Sequence, residues 1–256
     1  MDRSLLFSII IPSFNQGKFL RQTIESILDQ SYPLVEIIVV DGGSTDESVE
    51  VLRSFGNKIR WQSEADRGQT HAINKGIAQA SGDILAYLNS DDYYLPDTLQ
   101  KVVTAFETNT AANWLTGDYE IVDVEGKPMQ SPIGWYKRVC RKALSFSLLS
   151  ILNPIAQPST FFRRRLVDQL GPFGEALRYT MDYDYWMRAI QVQKPIVLTD
   201  KLSAFRIHPK SKGGSQFRQQ FAEELQVAKK YQKRAIFVWL HQAHNALITG
   251  VYALLK

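Results

Sequence analysis

The sequence predicts an α/β fold: a Rossmann-like, mostly parallel sheet with helices on both faces, followed by C-terminal helices. Two observations carry this. Short runs rich in Ile and Val alternate with amphipathic segments through the first hundred residues. Those runs are apolar at successive positions rather than at every second one, as strands buried on both faces must be. Composition agrees: of 256 residues, 45% are hydrophobic and 22% charged, which is enough to build a sizeable core and too apolar for a disordered chain.

Taken in order, Leu6 to Pro12 reads as a first strand, and Leu20, Ile24, Ile27 and Leu28 mark the stripe of a helix after it. Glu36 to Val40 is a second strand, Asp46 to Phe55 a short helix and Lys58 to Gln62 a third strand. Thr70 to Ala80 reads as a helix and Asp83 to Leu88 as a fourth strand. Pro96 to Phe106 reads as a helix with Leu99, Val102, Val103 and Phe106 turned inward. From about Ala111 the pattern changes. Trp114 to Val124, ending on Glu125-Gly126-Lys127, suggests a hairpin. Asp182 to Ile190 suggests a helix, and Ile196 to Leu198 and Ser203 to Ile207 two short strands. Two helices close the chain, the first striped by Phe217, Phe221, Leu225, Ala228 and Tyr231.

Charge and cysteine usage narrow the class. The net charge is only +4, but basic residues cluster at Lys137 to Lys142, Arg163 to Arg165 and Lys229 to Arg234, as suits an anionic membrane surface, a phosphorylated substrate or nucleic acid. The single Cys140 excludes an internal disulfide and favours a reducing compartment. The apolar run near the start is interrupted by Pro12, Asn15 and Gln16, so it reads as a core strand rather than a membrane span. In the tail, AIFVWLHQAHNALITGVYALL is broken by His241, Gln242, His244 and Asn245. That favours a helix in a membrane interface, against another subunit or on the protein's own core.

In an open α/β sheet, ligands bind beyond the carboxyl ends of the strands. Four such ends carry polar groups: Pro12-Ser13-Phe14-Asn15, Asp41-Gly42-Gly43-Ser44-Thr45-Asp46, Glu64-Ala65-Asp66-Arg67-Gly68 and Asn89-Ser90-Asp91-Asp92. Ser44 to Glu47 also fits a helix capping box, which leaves Asp41 as a hydrogen-bond acceptor for a ribose or a base. Asp91 and Asp92 repel one another as neighbours, and a bound Mg²⁺ or Mn²⁺ would remove that repulsion while leaving positions for phosphate oxygens.

IIIPSFN, IIVVDGGSTD, SEADRGQTHAINKG and GDILAYLNSDD, in this order and spacing, resemble the family 2 glycosyltransferases, inverting enzymes of the GT-A fold. The resemblance covers about the first two hundred residues. It implies sugar transfer from a UDP-, dTDP- or GDP-sugar to an acceptor hydroxyl, helped by a divalent cation. By analogy it implies cell-envelope or exopolysaccharide biosynthesis, in the cytoplasm or peripherally on the inner membrane face. Partners would be the donor and a glycan or lipid-linked acceptor, with membrane contact through the basic C-terminal helices, a homodimer as an option and no nucleic acid. Residues 1–110 would form the nucleotide-sugar half, 111–213 the acceptor half and 214–256 a helical extension.

Residue by residue, the resemblance assigns Pro12, Phe14, Asn15, Asp41, Asp66, Gly68, Asn74, Asn89 and Asp91 to the donor, and Asp91, Asp92 and His208 to the metal. His208 closes the segment Phe205-Arg206-Ile207-His208, in which the family brings a His or an Arg to the diphosphate. Asn89 stands where many members have Asp, so the cation would lean on Asp91 and Asp92. Met181 to Arg188 resembles the segment holding the catalytic base, with Met181 where Glu is frequent, and Asp182 takes that role. Asp184, four residues before Arg188, reads as half of an intrahelical ion pair. Gln157 to Phe161 resembles the acceptor-side loop. Two alternatives stay open: a sugar nucleotidyltransferase, although Pro12 to Lys18 is a poor version of its Gly-rich loop, and a non-catalytic binding module, which Asn89 and Met181 favour.

Overall fold

The computed structural model describes residues 4–208 and 217–254, with side chains from 219 to 250 in the second stretch. It is an α/β structure around one eight-stranded sheet of order β3-β2-β1-β4-β7-β6-β8-β5. The first half follows the alternation in sequence. β1 (Phe7–Ser13), β2 (Val35–Asp41), β3 (Arg60–Ser63) and β4 (Ile84–Tyr87) lie parallel. The intervening helices are α1 (Gly17–Leu28), α2 (Ser48–Ser54) and α3 (Gln69–Gln79).

Every residue of β1 is buried, and its alternate side chains reach opposite cores. Phe7, Ile9 and Ile11 join Leu20, Ile24 and Ile27 of α1 and Leu99, Val102, Val103 and Phe106 of α4 (Thr98–Thr108). Ile10 points the other way, toward Ile73 of α3 and the aromatic cluster under the second half. Each of these large side chains contributes roughly 1.5–3 kcal/mol on burial, which is why the pattern alone fixes both faces of the sheet.

The second half departs from expectation in two places. β6 (Trp114–Val122) folds back only briefly rather than as a full hairpin. After the turn at 123–127 the chain makes one bridge, Val122 to Pro128, and leaves for α5 (Pro132–Lys142). β6 pairs instead with the antiparallel β7 (Thr160–Arg163) and the parallel β8. The two short strands expected near the end are one strand, β8 (Ile196–Arg206), bent by irregular register opposite Thr116 to Tyr119. The polar Thr199-Asp200-Lys201 lies in that bend and interrupts the apolar pattern without breaking the strand. β5 (Tyr93–Tyr94) pairs with β8, bringing the end of β8 to the turn after β4.

α6 (Phe146–Leu149) and α7 (Arg164–Leu170) are short connectors. α8 (Met181–Val192) is pinned under the sheet by ring stacking: Trp186 lies on Trp114 and Phe162 at 6.2 and 5.4 Å, and Tyr185 lies on Phe173 at 3.9 Å. Tyr183, Trp186, Met187 and Ile190 are buried, as the stripe requires. α9 (Phe217–Tyr231) and α10 (Ala235–Leu254) complete the described chain, and no described helix is long and apolar enough to cross a membrane. Along α9, Val227, Ala228 and Glu224 are the buried positions, with Phe221, Leu225 and Tyr231 half-buried. The side chain of Phe217 and the expected boundary at 213 and 214 lie outside the described residues.

Candidate active site

The polar loops after β1, β2, β3 and β4 do meet along the carboxyl edge of the sheet, because the four strands are parallel and in register. Ser13 is opposite Asp41, and Asp41 opposite Ser63.

The turn after β4 is built by groups far away in sequence. On α1, the Thr23 hydroxyl lies 2.9 and 2.7 Å from the carbonyls of Ser90 and Asp92. On β8, Arg206 is buried and clamps the same turn. Its Nε donates to Asp91 O at 2.9 Å, Nη1 to the carbonyls of Asp123 and Val124, and Nη2 to Gln22 Oε1. Its guanidinium also sits 4.8 Å from the Phe19 ring. Of the pair in Phe205 to His208, Arg206 is thus consumed by main-chain carbonyls and the Gln22 amide, and His208 is the side chain that reaches a carboxylate. His208 Nε2 lies 2.9 Å from Asp91 Oδ2.

Asp92 turns away from this pair. It is 1% exposed, accepts the backbone N–H of Arg206 at 2.9 Å on Oδ1, and accepts the Asn89 amide at 3.2 Å on Oδ2. Burial first, and the charge of Asp91 second, push its carboxyl well above the usual range. Of the two carboxylates expected to bind metal, Asp91 faces His208, whereas Asp92 docks the end of β8 onto the turn. Among the described residues, no group of three or more His, Cys, Asp or Glu is close enough to hold a metal ion on its own. One carboxylate and one imidazole do fit a cation whose other positions are filled by phosphate oxygens and water.

Asn89 also has a physical reason to differ from Asp. Its Oδ1 accepts from Gln69 at 2.6 Å, while its Nδ2 donates to Asp92 and to Gln157 Oε1 at 3.0 Å. Gln157 in turn donates to Tyr87 O at 2.7 Å. A carboxylate at 89 could not donate to either partner and would add a third negative charge. Gln157 is the residue of this network that the sequence pattern left in an acceptor loop.

Asp41 is 0% exposed, and its oxygens accept from Gly43 N, Ser44 N, Ser44 Oγ and Ser63 Oγ at 3.2 to 2.5 Å. Its carboxylate thus sets the shape of the loop after β2. Asn15, at φ 53°, ties that loop to the end of β1: its N–H donates to Ser44 Oγ at 2.7 Å, and its Oδ1 accepts from Thr45 N at 2.8 Å. Phe14 beside it is 60% exposed, while Pro12 is buried. Asp66 caps the turn into α3 by accepting from Gly68 N at 2.7 Å, and Gly68 has φ 110°, a region open to glycine. Any Cβ at Gly42 would stand 3.0 Å from Asp66 Oδ2, so Gly42 lets the two loops close on each other. Asn74 lies elsewhere. Its amide grips the backbone N–H and carbonyl of Phe173 at 2.9 Å and holds the loop before α8.

Asp182 opens α8, where its Oδ1 accepts the Tyr183 N–H at 2.7 Å. The Tyr87 phenol, at the end of β4, is fully buried and lies within electrostatic reach of both Asp182 and Asp92; burial first, then those two charges, raise its pKa. Asp182 is thereby on the same side of the sheet end as the 89–92 turn. Asp184 is the structural partner the spacing implies, at 3.1 Å from Arg188, and it also accepts from Lys230 and from Tyr231 Oη. The start of α8 is held from α9 by Glu223, which accepts from Arg178 N, Tyr179 N and Thr180 Oγ1 at 3.0 to 2.7 Å. Its neighbour Glu224 is buried, and burial pushes its carboxyl up to about 7, with Lys137 opposing and Asp182 adding to the rise.

Comparison with known proteins places this arrangement. The family model for glycosyl transferase family 2 matches residues 8–171. An uncharacterized glycosyltransferase of Rickettsia prowazekii is 30% identical over 207 residues, covering 80% of this chain and 65% of its own length. One from Mycobacterium tuberculosis is 33% identical over 204 residues, covering 77% and 74%. A Rickettsia felis relative is 32% identical over 191 residues, which are 73% of this chain and 32% of that protein. The chain thus spans from a third to two thirds of its Rickettsia relatives. Among solved structures, S. aureus TarS 1-349 in complex with UDP-GlcNAc superposes with a TM-score of 0.68 at 20% identity, covering 92% of this chain and 70% of that one. The mannosyltransferase PcManGT of Pyrobaculum calidifontis, in complex with GDP-Man and Mn²⁺, superposes at 0.73 and 19% identity, covering 96% and 70%. Both share the GT-A fold seen here. The matched span takes in all four parallel strands and the turn that carries Asp91, and the chain belongs to glycosyl transferase family 2.

Proposed function

We propose that this protein is an inverting, cation-assisted glycosyltransferase that takes its sugar from a nucleoside diphosphate donor. The observation that carries this reading is the 2.9 Å approach of His208 to Asp91 beside the converging loops of four parallel strands. The loops around Asn15, Asp41 and Asp66, with the Asn89 network, would receive the nucleotide. Asp91 and His208 would hold the cation, which supplies compensation for charge gathering on the departing diphosphate. Mn²⁺ is the first ion to test, because one carboxylate and one imidazole suit it and because PcManGT was solved with it.

Asp182 is the proposed base. The acceptor hydroxyl oxygen attacks the anomeric carbon and forms the new glycosidic bond. The bond from that carbon to the diphosphate oxygen breaks, and the hydroxyl proton passes to the Asp182 carboxylate. A single displacement of this kind inverts the anomeric configuration. The start of α8 keeps Asp182 fixed, because Glu223 holds the three residues before the helix.

The two structural neighbours were solved with a UDP-sugar and a GDP-sugar, so the donor panel should span both bases and dTDP. The decisive measurement is release of free nucleoside diphosphate from that panel with Mn²⁺, with Mg²⁺ and with chelator. Cation-dependent release from one donor class supports the proposal. Binding of donors with no release under any condition sinks it. A surface polysaccharide or lipid-linked glycan is the acceptor class we favour, with the active site on the cytoplasmic side.

A further inference from the structure

α10 is amphipathic in the wrong sense for a helix that only closes a core. Three of its polar side chains face the protein, while Gln242 is exposed. His241 is fully buried with Nδ1 3.0 Å from Ser150 O, His244 stacks on the Tyr136 ring at 5.9 Å, and Asn245 donates to Phe221 O at 3.2 Å. Its largest exposed side chains are apolar. Ile236, Trp239, Ala243 and Leu247 recur at three- and four-residue steps along one exposed stripe, with Trp239 60% and Leu247 67% exposed. A solvated helix would carry charge on that stripe, and here it has none.

α5 lies beside α10 through the Tyr136–His244 stack and repeats the feature, with Trp135 65% and Val139 48% exposed four residues apart. Charge singles out the occupant. No Asp or Glu occurs from Gly126 to Val167 or from Leu225 to Lys256. At the head of α10, Lys229, Lys233 and Arg234 are exposed.

We infer that the outward faces of α10 and α5 dock onto an anionic lipid bilayer, Trp135, Trp239, Ile236 and Leu247 entering the headgroup boundary and the Lys229 to Arg234 collar meeting the lipid phosphates. A large exposed apolar patch needs a cover. A second copy of the same face would bring more cations and no acid to answer them, whereas an anionic membrane answers both the apolar stripe and the collar. This goes beyond glycosyl transfer and stands without it, since none of these residues belongs to the proposed active site.

The test is co-sedimentation of the full chain with phosphatidylcholine vesicles, with and without about 30% phosphatidylglycerol, at low and high salt. The expected result is partition to the anionic vesicles that falls at least roughly tenfold for Trp239→Ser/Leu247→Ser, and falls as salt rises. A second variant, Lys229→Glu/Lys233→Glu/Arg234→Glu, keeps the apolar stripe and should lose the preference for anionic lipid. Far-UV circular dichroism and nucleotide binding monitor folding of both. Equal sedimentation with and without vesicles overturns the inference. So does a solution dimer that Trp239→Ser/Leu247→Ser splits into monomers without any vesicle binding, which would make the face a contact between copies.

Discussion

His208 Nε2 and Asp91 Oδ2 stand 2.9 Å apart across 117 residues of sequence. Asp92, next to Asp91, is buried under the Arg206 N–H, and Arg206, two residues before His208, is spent on carbonyl oxygens. On the proposed reading, a cation at this turn would depend on Asp91 and His208 rather than on adjacent carboxylates.

Asp91→Asn and His208→Ala should each weaken Mn²⁺ binding in the presence of nucleotide by about 10- to 100-fold, read by calorimetry. Asp92→Asn should weaken it far less, since Asn keeps an acceptor for Arg206 N–H. Asp92→Ala leaves that N–H without a partner and should lower unfolding stability by roughly 1–3 kcal/mol. Equal metal loss in Asp91→Asn and Asp92→Asn would restore the paired-carboxylate reading.

Replacing Asp182 by Asn removes the proton acceptor while keeping shape. Turnover should fall by about 10²–10⁴-fold with the donor dissociation constant unchanged. Loss of both to the same degree would assign Asp182 to donor binding.

Asn89→Asp installs the residue that the family resemblance leads one to expect at this position, yet here it should cost roughly 1–3 kcal/mol. It removes the donors to Asp92 and Gln157 and adds charge beside a carboxyl that burial already raises. Thermal unfolding should show the drop without metal and a partial recovery with Mn²⁺ and nucleotide. A variant as stable as the parent in metal-free buffer would contradict the network.

Glu224 predicts a pH signature. Its folded pKa of about 7 lies above the ordinary value near 4.5, so the folded chain holds a proton that the unfolded chain has lost. The fold bears no penalty below about pH 4.5, a growing one as pH rises and the full one above about 7, on the order of 3 kcal/mol. Glu224→Gln should therefore raise the melting temperature clearly at pH 8 and little at pH 5. A gain equal at both values would locate the effect outside this titration.

The sequence made the first half legible because local and global signals agree there. Ile9, Ile10 and Ile11 of β1, the stripe of α1 and the polar strand ends each follow from periodicity and short range. What stayed hidden depends on distance. Nothing local marks Thr199 to Lys201 as the middle of one strand, because β6 supplies its partners. Nothing in Asp91-Asp92 tells which carboxylate will be covered, since the cover comes from Arg206. Asp184 was readable from its Arg188 spacing, whereas the reach of Lys230 and Tyr231 to it was not.

β8 also orders events in time. A nascent chain of about a hundred residues holds β1 to β4 and the strand-end loops at Asn15, Asp41 and Asp66, but not Gln157 of the Asn89 network. It has neither Arg206 to shape the Asp91 turn nor His208 to face it. On the proposed reading, the cation site is therefore completed only once β8 has paired with β6 and β5, and a chain ending before β8 would lack the Asp91–His208 pair.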